Sequence, residues 1–463
     1  MKLKFCIVLI SALITCNVYP QNILSVRSLS LGNTSASNSY EIDALNQNPA
    51  NIINQRSNNN ASVYFNIVTN FGFLSNSKYL SLGFYDNYFT EGANGNTRVL
   101  TEQDKNTIYT DASNQKSSIV ISGKLLALVY NTKKFGSFGL SVDERFTANF
   151  TVAKDFLDIA LFGNIANSSY DFSPTSVNAY WTRQINLSYA YAVYTKKNKT
   201  FDALSFGVSV KPQFGLYYLE TQKNDLFVTT NNFNFIQGTG TMELLYSGLT
   251  SNNDFKYSAD NAGFGVGFDV GVNAGIKNVS RRGKLNVGLS ITDVGSINWK
   301  SNNAKYFYNG NFIVNDITSQ AQLDTLRELI KGSKTPVGEF SVGLPATLRA
   351  GISFKLYDNI KKDSLNLERA SFSLDVIKGL NEKLGASEKI IMGFGAEVNV
   401  TKILSTRIGF AVGGPEEFVA NLGLGIDSGP VLIDLGTYNI TSIFNPKNSK
   451  KLSGGLSIKF KIN

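Results

Sequence analysis

From Ala262 to Lys277 the chain alternates without interruption. Phe264, Val266, Phe268, Val270, Val272, Ala274 and Ile276 fall on one face; Gly263, Gly265, Gly267, Asp269, Gly271, Asn273, Gly275 and Lys277 fall on the other. A period of two belongs to a β-strand. Strands in soluble domains run to about five or six residues. A run this long fits instead the ~9–11 tilted residues that cross a bilayer, with some overhang. The pattern returns in Leu285–Ile291, Leu348–Leu356, Phe394–Val400 and Leu452–Asn463, where Phe460 stands close to the end. The polar face is crowded with Gly and Ser, which suits a packed interior better than a solvated surface.

Composition supports this reading. Only 17% of residues are charged, against a usual ~25%, and Pro is scarce, as long paired strands require. There is no His in the chain, which excludes Ser-His-Asp and Cys-His triads and His-rich zinc sites. Gly263-x-Gly265-x-Gly267 lies inside a strand pattern with no helix after it, so it lacks the context of a phosphate loop. Glu41 and Asp43 are two residues apart and form no catalytic pair. The net charge of +9 is spread thinly, without a compact basic patch for nucleic acid. We expect a non-enzymatic protein with no cofactor and no metal site.

Residues 1–21 read as a secretory signal: Lys2 and Lys4 precede the short apolar run Phe5–Ile14. Leu13-Ile14-Thr15-Cys16 faintly resembles a lipoprotein box, which leaves lipidation of Cys16 open. Both cysteines, Cys6 and Cys16, lie in or beside this segment. Residues 22–60 are rich in Ser and Asn, and Asn48-Pro49 is a turn signal. This segment is either a disordered tail or a compact body folded inside a barrel. Residues 61–463 carry the strands. Expected strands include Ala61–Leu74, Lys78–Asp86, Ser118–Asn131 and Phe135–Phe146. A tight turn is expected at Lys196–Lys199, a polar loop over 87–117, and helices over 151–162 and 316–333. The fold expected is all-β: an antiparallel transmembrane β-barrel of about 14 strands. No later stretch is apolar enough for a spanning helix, and a closed barrel needs none.

Arg27-Ser28-Leu29-Ser30-Leu31-Gly32, Asp43-Ala44-Leu45 and Asn48-Pro49-Ala50 resemble the N-terminal segment of FadL-like outer-membrane barrels, and in particular their PorV and PorQ relatives of Bacteroidota. Gly343-Leu344-Pro345-Ala346-Thr347-Leu348-Arg349-Ala350-Gly351 resembles a strand entry of the same superfamily. Gly265–Lys300 looks more like an uncharacterised Bacteroidota subgroup of it. Thr34 and Ser35 depart from the pattern, where relatives favour Gly or Ala. The resemblance implies an N-terminal hatch in the lumen, with Leu31, Gly32, Asp43, Asn48, Pro49 and Ala50 as its motif. It implies a place in the outer membrane of a Gram-negative envelope, in contact with its lipid. It also implies passage or binding of a small hydrophobic or amphipathic solute. The alternative is a docking subunit for a secretion-system or surface-lipoprotein partner, as in the PorV-like branch. Alternation turns Asp269, Lys277, Arg349, Glu397 and Arg407 into the lumen. Arg349 and Arg407 are the cations offered to Asp43. An arginine is expected to be excluded from lipid-facing Val287 and better tolerated at lumen-facing Gly288.

Overall fold

The computed structural model describes residues 25–462 except 55–61, 78–80, 89, 91–98, 114, 133, 164, 195–199, 232–234, 249–260, 277–278, 281, 316–319, 323, 325–327, 329–331, 358–367, 384, 415–417 and 448. The expected signal segment, the turn at Lys196–Lys199, most of the helix expected over 316–333, and Lys277 lie outside the described residues.

Fourteen strands close an antiparallel barrel. They are β1 (Val63–Asn76), β2 (Lys116–Thr132), β3 (Gly136–Thr151), β4 (Ser176–Tyr194), β5 (Phe201–Asn224), β6 (Gly263–Ile276) and β7 (Gly283–Trp299). The second half comprises β8 (Thr347–Tyr357), β9 (Glu368–Gly379), β10 (Ile391–Asn399), β11 (Leu404–Gly413), β12 (Phe418–Asp427), β13 (Val431–Thr437) and β14 (Lys451–Ile462). Each pairs with its neighbours in chain order, and β14 returns to β1 from Val63↔Ile462 to Asn76↔Lys451. Closure leaves no open edge, the condition for burying backbone in lipid. Four short strands, Thr241–Gly248, Ala304–Asn309, Ser333–Pro336 and Phe340–Gly343, extend one wall beyond the barrel.

The outer face is apolar. Phe264 (46% exposed), Phe268 (51%), Val270 (57%) and Leu289 (46%) stand outward in a belt that also holds Phe206, Val208, Ile352, Phe372 and Phe410. Contiguous apolar surface on this scale is foreign to soluble monomers and matches the lipid band of a membrane barrel. The two ends differ. At one end short connections join β2 to β3, β10 to β11 and β12 to β13, over 133–135, 400–403 and 428–430. The other end carries the long segments 77–115, 152–175, 225–262 and 300–346.

Two expectations in these long segments fail. Of the strand expected over Lys78–Asp86, residues 78–80 lie outside the described residues and Leu82–Asp86 belongs to the helix Leu82–Tyr88. Ser81 Oγ accepts the Phe84 N–H at 3.2 Å, and Phe84 and Tyr88, one turn apart, pack edge to face. The loop expected over 87–117 contains the helix Glu102–Ala112, opened by a reciprocal capping box between Thr101 and Asp104. The helix expected over 151–162 is present as Lys154–Phe162.

Candidate functional site in the barrel lumen

Residues 25–54 fill the lumen. The segment folds as two single-turn helices, Val26–Leu29 and Glu41–Ala44, and a 3₁₀ turn, Pro49–Ile53, with residues 25–52 buried throughout. Asn48 starts the last turn: its Oδ1 accepts the Ala50 N–H at 3.1 Å, and Pro49 occupies the first helical position, where no N–H is needed. The Asn48 amide also donates to the Ala36 carbonyl at 2.6 Å and to Val272 of β6 at 3.2 Å. Ala50 is fully buried.

The Gly-rich face of the strands now has a physical cause. A Cβ at Gly207 would overlap Ala50, at Gly271 Asn48, at Gly288 Ala36, and at Gly409 the backbone of Leu31 and Gly32. Gly32 itself has φ +67° and sits where a Cβ would meet the Phe394 and Phe410 carbonyls, so both its conformation and its space require glycine. Leu31 is 1% exposed. The better tolerance expected at Gly288 is therefore corrected: its lumen side is occupied by plug backbone.

Asp43 does not meet Arg349 or Arg407. It is ion-paired with Lys459 of β14 and accepts the Ser25 hydroxyl at 3.2 Å. Lys459 also pairs with Asp434 at 2.9 Å, Asp434 with Arg407 at 2.7 Å, Arg407 with Glu397 at 2.7 Å, and Glu397 with Arg27. The result is a ladder of alternating charge, Asp43–Lys459–Asp434–Arg407–Glu397–Arg27, whose two ends belong to the plug and whose middle belongs to the wall. Its side chains are at most 5% exposed. The charges sum to zero, which is the condition for keeping so many of them out of water. Spacing alone missed Asp434 and Arg27 because partners on different strands have no fixed sequence separation.

Arg349 reaches the plug differently: its guanidinium donates to the Asn33 carbonyl at 3.5 Å, and the residue is 1% exposed. Asp269 lies elsewhere in the lumen, paired at 2.6 Å with Lys211, which also holds Asp293 at 2.8 Å. Asp375 accepts the Ser35 and Ala36 N–H groups at 2.7 Å each, and the Thr34 hydroxyl lies 2.7 Å from that of Ser373. The departures at Thr34 and Ser35 thus serve wall contacts. Tyr40 lies under the Lys355 ammonium, 4.3 Å from its ring centre, and donates to Glu368 at 3.2 Å.

One place in the wall is unlike the rest. Between β4 and β5 pairing lapses after Gln184↔Gln213 and resumes at Leu187↔Val210 without change of register. Pro212 lies in the gap and has no N–H to donate across to Ile185. Outside, an apolar depression of about 410 Å³ adjoins it, lined by Leu128, Phe138, Leu187, Tyr189, Val208 and Val210 among others, with Gly139, Ser188 and Ser209 in its lining. Inside lies the plug: the Gln184 and Asn186 amides both donate to Asn46 Oδ1 at 2.8 Å, and Asn46 has φ +68°. Gly139 is in contact with Leu45, so a Cβ there would lie 2.7 Å from the leucine side chain.

No curated protein matches the sequence. Among solved structures, the deltaS2S3 mutant of TodX, a monoaromatic hydrocarbon channel, aligns at 12% identity and a TM-score of 0.51, over 95% of this chain and 98% of that one. The toluene transporter TbuX of Ralstonia pickettii aligns at 12% identity and 0.47, over 95% and 98%. A FadL homologue of Pseudomonas aeruginosa aligns at 11% and 0.42, over 96% and 99%. At such identities the first likeness bears on the fold alone, which it supports, and the other two scores carry no further argument. Residues 49–386 match the model of the family of unknown function DUF5723, and the chain belongs to that family.

Proposed function

We propose that the protein is a non-enzymatic outer-membrane barrel of a Gram-negative envelope that binds or passes a small hydrophobic or amphipathic solute. In this reading residues 1–21 are the leader, 22–60 the hatch and 61–463 the barrel. The observation that carries it is the coincidence at Pro212: an apolar depression outside, a lapse in the ladder, and the Asn46 turn of the plug behind it. A hydrophobic molecule dissolved in the membrane would meet the wall beside this lapse, behind which Asn186 and Lys211 turn into the lumen and Asn186 holds the plug through Asn46. The hatch motif would hold the path shut, and the charge ladder would set how far it opens. The FadL-like resemblance of the hatch motif supports the same class of solute.

The test is uptake of toluene, as a hydrophobic probe, and decanoate, as an amphipathic one, in cells that lack their own uptake barrels. Cells carrying the protein should take up at least one faster than empty-vector cells. Equal rates, with the folded barrel present in the membrane, would overturn the reading. A docking function for a secretion or surface partner is favoured by a separate observation. The lumen is filled by buried plug residues, and the long-segment end carries ordered structure, including a second small sheet of Ser169–Asp171, Phe227–Thr230, Ile236–Thr239 and Phe312–Val314.

A further inference from the structure

The wall above the lapse continues past the barrel. A bulge at Leu216, which has no partner between Trp181↔Tyr217 and Thr182↔Gly215, turns Tyr217 to the outer face. Beyond it β5 pairs with Thr241–Gly248, which pairs with Ala304–Asn309, which pairs with Ser333–Pro336. One face of this extension is a core: Tyr218, Leu245, Ile297, Trp299 and Leu344 pack there with Phe340. The opposite face carries a row of half-buried tyrosines. Tyr217 and Tyr246 have ring centres 5.7 Å apart, Tyr246 and Tyr306 5.9 Å apart, both edge to face. Lys334 places its ammonium 5.8 Å from the Tyr246 ring centre and 5.7 Å from that of Tyr306. Lys334 is exposed and pairs with no carboxylate among the described residues. Burial, then crowding by Tyr217 and Tyr306, pushes the Tyr246 phenol up to about 12, so it stays a neutral donor.

The height of this shelf follows from strand geometry. Phe206 is lipid-facing, and Tyr217 lies eleven residues further along the same strand. At ~3.3 Å per residue and a tilt of ~40°, that is about 28 Å along the barrel axis, or roughly the height of the apolar band itself. Because Phe206 lies only five residues from the start of its strand at Phe201, near the short-connection end, the tyrosines stand close to where the lipid tails end and headgroups begin. Aromatic rings are at home at that level, but a lysine laid over two of them adds a cation where headgroup anions lie.

We propose that Tyr217, Tyr246, Tyr306 and Lys334 form a contact site for the phosphorylated sugar headgroup of an outer-leaflet glycolipid. The ring row offers flat apolar faces to the C–H faces of a sugar, and Lys334 a charge-assisted bond to its phosphate. The site is continuous with the lipid-facing belt and lies on one wall only, above the depression beside Pro212. A bound glycolipid would thus be a fixed neighbour of the point where solute is proposed to enter. This inference rests on the outer-membrane reading.

Full-length barrel is purified in detergent, stripped of lipid, and titrated with bisphosphorylated lipid A, its dephosphorylated form, or phosphatidylglycerol, with adducts counted by native mass spectrometry. Bisphosphorylated lipid A should bind tightest. Lys334→Glu and the double variant Tyr246→Leu with Tyr306→Leu should each weaken it about tenfold, the scale of a single hydrogen bond to a charged group. Heat-modifiable migration on gels shows that each variant is folded, and only folded variants are scored. Equal binding of phosphatidylglycerol, or of lipid A to parent and Lys334→Glu, overturns the proposal. Insertion into lipid vesicles is measured alongside: a chain that does not insert defeats the membrane reading itself, whereas parent and variants inserting alike, with no lipid A preference, defeats the site alone.

Discussion

Asp43 of the plug and Lys459 of the closing strand are ion-paired inside the barrel, with side chains at most 3% exposed. They end a ladder that starts at Arg27, so the plug is gripped at two points in its own sequence by wall residues that also grip each other. Removing one member leaves a buried charge imbalance, a change that typically costs about 3–5 kcal/mol. We expect Asp43→Ala to loosen the plug while the barrel stays assembled. Conductance in planar bilayers should rise and protease should cut within residues 25–54. Asp43→Ala combined with Lys459→Met restores neutrality and should recover part of the loss. Conductance identical to the parent in the single variant would show that Asp43 does not tether the plug.

Val287 and Gly288 are neighbours on β7 with opposite duties. Val287 is 39% exposed on the lipid face, where an arginine near the midplane costs ~2–4 kcal/mol. Gly288 abuts the Ala36 carbonyl of the plug. Val287→Arg should therefore deplete the heat-modifiable barrel from membranes. Gly288→Val should leave that band present but expose the plug to protease. The same failure from both substitutions would contradict the face assignment.

The barrel is legible because a strand two-faced over its whole length repeats one signal, and each repeat reinforces the others. Phe264, Phe268 and Val270 face outward as the alternation requires. The lumen is legible only in kind. That Asp269, Arg349, Glu397 and Arg407 turn inward follows from period two, whereas Asp434 reaching Arg407 across the intervening β12, or Lys211 between Asp269 and Asp293, depends on strand stagger and on where the plug lies. The abundance of glycine points to crowding without naming what crowds it. Helix Leu82–Tyr88 escapes a reading by pattern because its apolar residues also fit a short alternating run, while the capping pair Thr101 and Asp104 stands in plain view inside a polar segment expected as loop.

That pair gives a local test. Thr101 Oγ1 accepts the Asp104 N–H at 3.1 Å, and Asp104 in turn accepts the Thr101 N–H at 2.9 Å. Thr101→Ala should destabilise the helix by ~0.5–2 kcal/mol and speed hydrogen exchange in its amides, with no change in barrel heat-modifiability. Unchanged exchange would mean that packing of Tyr109 on Phe162, rather than the cap, holds the helix.

Pro212 offers the sharpest test of solute entry. On its β6 side the residue pairs with Val266, and on its β4 side the ladder is open opposite Ile185. Threonine has a donor N–H and suits a strand, so Pro212→Thr should extend pairing across Ile185 and Asn186. Slower hydrogen exchange at residues 185–187 and 210–212 would report that closure. If a hydrophobic solute passes between membrane and lumen here, toluene uptake should fall in the same variant while the amount of folded barrel stays constant. A closed ladder with undiminished uptake would place the route elsewhere. An open ladder in the variant would show that the lapse comes from the plug's hold on Asn186 through Asn46, and Asn46→Ala in the Pro212→Thr background should then close it.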